Sequence, residues 1–357
     1  MAGPHEVIAV VTQPERRSGR GRKVKAPPVA SHAAANDLPV LQPEKVGAPE
    51  SITALERFDA DIGVVVAFGQ FLTRRVRELP RSGYLINAHA SLLPRHRGAA
   101  PIAYAILSGD RETGVSIMRV EKEMDAGPVA LLRKTEIRPQ DDAGSLGERL
   151  AALAADGVAE ALDRVAAGQI QWTEQDEDLA TSAPKLSADD AELHFDRDAV
   201  EIELRVRALA PKPGAFTWWQ GERLRILGAE AKRGSLSGAT TEPGSVHIDE
   251  CGDVRVTAAT GWLRLTRVQR AGGVAQGVDS FQRGRGLKSG DHLGPSAAPK
   301  APGREREPSD AISARCLTSR KGAGGCLIVG RFGLVLRRSY TWYGCPYWLR
   351  ILKAMHI

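Results

Sequence analysis

The sequence predicts a doubly wound, Rossmann-like α/β domain followed by a small β-barrel domain, and three observations carry that expectation. In the first half, short β-branched runs that are apolar on consecutive positions alternate with helix-like segments, as strands buried on both faces of a largely parallel sheet do. From about Asp189 the pattern changes to short strand candidates separated at close intervals by Gly and Asp turns, which suits a small barrel. The chain has 357 residues, 42% of them apolar, enough to build a core in each of two domains.

Taken in order, HEVIAVVTQ (5–13), DIGVVVAF (61–68) and YLINAHAS (84–91) read as buried strands, and ETGVSIMRV (112–120) as a strand nearer a sheet edge. PPVASHAAANDL (27–38) and APIAYAILSGD (100–110) read as helices between them. Leu146, Leu150, Leu153, Leu162 and Val165 recur near helical spacing in a long amphipathic segment that ends at Gly168. The α/β domain is therefore expected over 1–170. A polar, acidic, proline-containing stretch follows and predicts a linker over 171–188. The β-rich domain is expected over 189–294, from the runs RLRILGAEA, GSVHIDECGDVRVTAAT and GWLRLTRVQR. Residues 295–357 have a basic, disorder-like composition and are expected to lie outside both domains with no catalytic role.

Net charge is +6, yet 11 of the 49 basic and only 3 of the 43 acidic residues fall in 295–357, so the main body is slightly acidic. Binding of a polyanion must then come from local patches. The four cysteines show no CxxC pairing and no His at metal-ligand spacing, so neither a metal site nor a disulfide framework is expected. CLIVGRFGLVL is short and interrupted by Arg331, which argues against a membrane span, and no secretory leader is legible at Met1. A cytoplasmic, monomeric protein is the expectation.

Four pieces of sequence can carry chemistry. The strand ending at LINAHAS places Asn87 and His89 on one side of a strand end, where open α/β sheets bind ligands. An amide donor beside an imidazole suits stabilising the oxyanion of an acyl transfer; the same pair would equally satisfy loop backbone groups. Asp125 precedes Gly127-Pro128 in a turn, and a carboxylate near His89 would favour the imidazolium. Read alone, it would serve as a helix or turn cap. Ser91 is a weak nucleophile, because no G-x-S-x-G elbow surrounds it. Arg16, Arg17, Arg20, Arg22, Lys23 and Lys25 crowd a Gly-containing loop after the first strand, which fits a grip on a nucleic-acid backbone as well as a solvated basic loop. Phe68, Phe71 and Leu72 follow a buried strand and offer an apolar slot for a flat heterocycle or, more commonly, core.

With these pieces in this order, the sequence closely resembles the methionyl-tRNA formyltransferases, the tRNA-acting branch of the folate-dependent formyltransferase family. The motifs that carry the resemblance run from about His5 to Gly294 and include VVVAFGQFL, INAHASLLPRHRGAAPI, MDAGPV, APKLSADDAELHFD and RALAPKPGAF. The resemblance implies that Asn87, His89 and Asp125 form the catalytic trio. It implies transfer of a formyl group from 10-formyltetrahydrofolate, with no metal, to the α-amino group of methionyl initiator tRNA. The implied folate-binding positions are Phe68, Gly69, Gln70, Phe71 and Leu72 with Ser91, Leu92, Leu93 and Pro94. The basic loop would meet the tRNA acceptor stem, and an oligonucleotide-binding-like (OB-like) barrel would support the tRNA. The family also has one more buried strand ahead of HEVIAVVTQ, so the resemblance implies that the central strand of the sheet is missing from 1–170. Rival expectations are a silent tRNA-binding remnant and a formyltransferase acting on a small amine.

Overall fold

The computed structural model describes residues 5–18, 23–236, 242–284, 286–294 and 326–332, and these form two compact units. The first runs to Lys185 and takes in the strand Cys326–Phe332; the second begins at Leu186.

In the first unit the elements follow in the order β1 (His5–Thr12), β2 (Arg16–Ser18), β3 (Lys23–Lys25), α1 (Pro28–Ala35), β4 (Val40–Leu41), α2 (Pro49–Glu56), β5 (Ile62–Val66), α3 (Arg74–Arg77), β6 (Leu85–His89), α4 (Pro101–Leu107), β7 (Glu112–Arg119), β8 (Val129–Glu136) and α5 (Ala143–Ala166). All five residues of β5 are buried, as the unbroken run IGVVV requires. Helix α5 starts where Asp142 caps it: the carboxylate accepts from the Ser145 N–H while Ser145 Oγ accepts from the Asp142 N–H, two otherwise orphaned donors satisfied together. Its buried face carries Leu146, Leu150, Ala154, Val158 and Leu162, and it packs on β7 and β8. Gly157 permits that approach, since a Cβ there would lie 3.2 Å from Ile117.

A seven-stranded mixed sheet holds the unit together, in the order β4-β1-β15-β5-β6-β7-β8. Pairs β1/β4 and β5/β6 are parallel and the others antiparallel. Strand β15 is Cys326–Phe332, drawn from the stretch expected to lie outside both domains. That expectation is corrected for these seven residues. Ile328 pairs with Val10 on one side and Val64 on the other, and Leu327, Ile328 and Val329 are all buried. The position between β1 and β5, which the resemblance implied to be vacant, is filled by apolar residues with both backbone edges satisfied. The rest of 295–357 lies outside the described residues.

The second unit contains α6 (Ala199–Leu209), β9 (Ala215–Trp219), β10 (Glu222–Lys232), β11 (Val246–Ile248), β12 (Val254–Thr257), β13 (Trp262–Arg270), β14 (Gln276–Gly277) and α7 (Val278–Gln282). The sheet order is β11-β12-β13-β10-β9 with β14 on β13. The domain is mostly β as expected, but β9 and β11 end an open path, so no closed barrel is formed among the described residues. Its core gathers Phe195, Val206, Phe216, Trp219, Leu263 and Phe281, among others. The two tryptophan N–H groups that reach into this packing are satisfied, Trp218 by Glu192 and Trp219 by Asp291, both at 2.9 Å. No described helix is long and apolar enough to cross a membrane.

Candidate active site

Strand β6 ends at His89, and everything that follows is shaped by hydrogen bonds to the loop 90–98. Ser91 is fully buried and spends its hydroxyl on the Arg95 carbonyl at 2.6 Å. Ser116 on β7 accepts from the Leu93 N–H and donates to the Ser91 carbonyl. These bonds make Ser91 part of the loop's internal scaffold, which agrees with its weak standing as a nucleophile. His96 sits at φ +59°; its Nε2 lies 2.7 Å from Asp110, which also accepts from Arg95 at 2.6 Å.

His89 itself is 6% exposed, and both ring nitrogens face protein. Nε2 lies 2.9 Å from the His96 carbonyl oxygen. A carbonyl only accepts, so Nε2 carries a hydrogen and donates it. Nδ1 lies 3.5 Å from Asp125 Oδ2. The same carboxylate oxygen accepts from the Gly98 N–H at 2.9 Å. Asn87 lies two residues earlier on β6, on the same side of the strand. Its side-chain amide has no hydrogen-bond partner among the described residues, which leaves it free to meet a ligand.

Asp125 adopts φ +53°, a left-handed conformation that costs a non-glycine residue about 1 kcal/mol or more. Its turn is enforced from several directions. A Cβ on Gly127 would fall 2.1 Å from the Arg119 carbonyl oxygen, so only glycine fits there. Gly98 has φ +125° and is pressed against Ala183, whose carbonyl oxygen would lie 2.7 Å from a Cβ. The stretch 171–185, read from sequence as part of a linker over 171–188, lies along this site. Ala183 N–H donates to the Arg97 carbonyl, Arg97 N–H donates to that of Thr181, and Val129 and Thr173 exchange backbone bonds. Gln175 reaches the Asp125 and Gly127 carbonyls at 2.8 and 2.7 Å. The Arg97 side chain holds Gln175 and Glu177, and that hydrogen-bonded ion pair keeps the Glu177 carboxyl below its usual range.

The other expected positions are placed less simply. Phe68 is 2% exposed and belongs to a core cluster with Val65, Leu72 and Leu85, so its ring presents no open face to a flat heterocycle. The gain from burying an aromatic ring in the core outweighs leaving it for a slot. Phe71 is 73% exposed. Gln70 is occupied with the Val46 N–H and the Pro43 carbonyl, and the Phe68 carbonyl accepts from Gln13 at 2.7 Å. Gly69 at φ +73° forms the turn among them. Leu93 is buried, Leu92 and Pro94 half-buried, and the Leu93-Pro94 bond is cis. Strands β2 and β3 form a hairpin in which Arg16 faces Lys25 and Arg17 faces Val24 in the ladder, with Lys23 opposite Ser18. Arg20 and Arg22 lie outside the described residues.

The family model "Formyl transferase" matches residues 2–162, and "Formyl transferase, C-terminal domain" matches 185–286. The methionyl-tRNA formyltransferase of Geobacter sulfurreducens is 39% identical over 81% of this chain and 89% of its own length. That of Sorangium cellulosum is 40% identical over 82% of this chain and 94% of its own, and that of Pseudomonas paraeruginosa 43% over 76% and 85%. Among solved structures, a HypX variant from Aquifex aeolicus superposes with TM-score 0.52 at 19% identity, over 87% of this chain and 51% of that one. An N-formyltransferase from Helicobacter canadensis superposes with TM-score 0.50 at 12% identity, over 71% and 87%; both show a shared fold. With both formyl-transferase models matched in order and relatives near 40% identity along most of their length, the chain belongs to the methionyl-tRNA formyltransferase family.

Proposed function

We propose that this chain transfers a formyl group from 10-formyltetrahydrofolate to the α-amino group of methionyl initiator tRNA, with Asn87, His89 and Asp125 as its working groups. The observation that carries the reading is the end of β6: a buried imidazole set 3.5 Å from a carboxylate, beside an amide that no described protein group occupies. When bound, 10-formyltetrahydrofolate supplies the formyl carbon. The protein's own part is to hold donors and a proton acceptor around it. The Asn87 amide donates to the formyl oxygen as negative charge gathers there. His89, its Nε2–H tied to the His96 carbonyl, keeps Nδ1 toward Asp125, where the proton released by the attacking amine is stabilised by the carboxylate until it passes to the folate nitrogen as the bond from that nitrogen to the formyl carbon breaks. The backbone around Gly69 and the turn 91–94 would border the folate, with Phe71 the exposed aromatic ring for it.

Named relatives that act on methionyl-tRNA support the choice of acceptor, as does the basic run of Arg16, Arg17, Arg20, Arg22, Lys23 and Lys25 in the sequence. The second unit is read as the OB-like support for the tRNA. There the exposed Arg223 lies 4.2 Å from the Phe216 ring centre and 5.2 Å from that of Trp218, and its cation is available to a polyanion. The test is transfer from 10-formyltetrahydrofolate to methionyl initiator tRNA, set against free methionine and an amino-sugar nucleotide. Transfer restricted to the tRNA is expected, and equal transfer to a small amine would overturn the reading.

A further inference from the structure

The side chain of Gln175 is saturated. Its Nε2 donates to the carbonyls of Asp125 and Gly127 at 2.8 and 2.7 Å, and its Oε1 accepts from Arg97 Nε and Nη2 at 3.0 and 2.8 Å. Both N–H groups and both oxygen lone pairs are thus used. The orientation is fixed without ambiguity, because a flipped amide would set oxygen against two carbonyl oxygens and NH2 against a guanidinium. Arg97 is in turn held by Glu177 at 2.7 and 2.8 Å. Next to Arg97, the Gly98 N–H donates to the Asp125 carboxylate. One residue therefore ties the loop that follows His89 to the turn that presents Asp125, and that turn contains a left-handed residue which must be held in place.

We propose that Gln175 is a positioning residue for formyl transfer: it sets the separation between Asp125 and His89. The inference rests on the reading of Asp125 as part of the transferring site. Gln175→Glu is the informative variant. It is isosteric and keeps an acceptor for Arg97, but it removes both donors to the turn. Gln175→Ala serves as the second variant in case the carboxylate disturbs folding.

In the full chain, Gln175→Glu is expected to lower kcat by about 10- to 100-fold, as a misplacement near 1 Å does. KM for either substrate should change less than about 2-fold if the defect lies in positioning rather than binding. The same substitution in an Asp125→Asn background should alter residual kcat by less than about 2-fold, because residues that act as a unit are not additive. Wild-type kcat in both Gln175 variants, or an undiminished loss in the Asp125→Asn background, would overturn the proposal. A readout independent of turnover is the 15N resonance of His89 Nδ1. It should move in Gln175→Glu and stay fixed in Leu132→Ala, a change on the exposed edge strand. An unmoved resonance overturns the proposal whether or not transfer occurs. Full activity of Asp125→Asn instead removes the reading of the site on which it stands.

Discussion

Shortening Ile328 to alanine removes most of an aliphatic side chain that is 2% exposed in the middle of the seven-stranded sheet. Leu327 and Val329 belong to the layer of Ala9, Val11, Val65 and Leu85, so alternation along the strand places Ile328 on the opposite face. Its neighbours Val10 and Val64 are fixed by ladders on both sides and cannot close over the space. The cost is then about 2–5 kcal/mol, the usual range for a buried large-to-small change, against a total stability of about 5–15 kcal/mol for a domain. At about 2–4 °C per kcal/mol for a domain of this size, Tm falls by roughly 4–20 °C. The matched control is Leu132→Ala on edge strand β8, 45% exposed, where a change of about 0.5 kcal/mol is expected. Thermal unfolding gives the shift, and hydrogen exchange at the amides of β1 and β5 locates it. If Ile328→Ala melts with the control and leaves exchange at Val10 and Val64 unchanged, the insertion of β15 between β1 and β5 is refuted.

Gly127→Ala forces a Cβ into the Arg119 carbonyl. It should cut kcat at least 10-fold by displacing the Asp125 turn; an unchanged kcat contradicts the geometry. At Asp141, burial pushes the carboxyl up, but bonds from the Arg149 guanidinium, the Arg138 N–H and Ser145 outweigh it and hold it below the usual range. A depressed folded value means the stabilisation is complete above the unfolded pKa near 3.9 and is lost as pH falls through the folded one. Asp141→Asn should therefore lose about 1–3 kcal/mol at neutral pH and flatten the stability curve below about pH 4, measured by urea unfolding across pH. Replacing Arg16 and Lys25 by alanine should raise KM for the tRNA, leave kcat within about 2-fold, and reduce the salt slope by about 1 per lost phosphate contact. An unchanged salt slope would remove the hairpin from the tRNA interface.

Asn87 and His89 could be singled out from sequence because the pattern is local: two polar side chains end an apolar strand. Asp125 was legible for a related reason, the Gly127-Pro128 turn that fixes it. Gln175 was not, since an amide within an acidic, proline-containing stretch carries no sign that tertiary contacts will lay it across two carbonyls. Strand β8 was missed because VALLRKTE mixes charges into an edge strand with one face exposed. The run at β15 is strand-like by itself, but its partners are more than 250 residues away in sequence, and pairing at that distance leaves no local mark. At Phe68 an aromatic ring after a buried strand suits a slot or, more commonly, core in sequence, and its side chain lies in the core.

The central claim is that the end of β6 performs the transfer. Its most direct test is the rate of formyl transfer from 10-formyltetrahydrofolate to methionyl initiator tRNA by the purified chain beside Asn87→Ala and His89→Ala. The account predicts transfer by the unaltered chain and a loss of about 100- to 1,000-fold in kcat on removing the Asn87 donor, with a comparable loss at His89 and folded protein in each case. Transfer that survives both substitutions, or its absence from the unaltered folded chain, would contradict it.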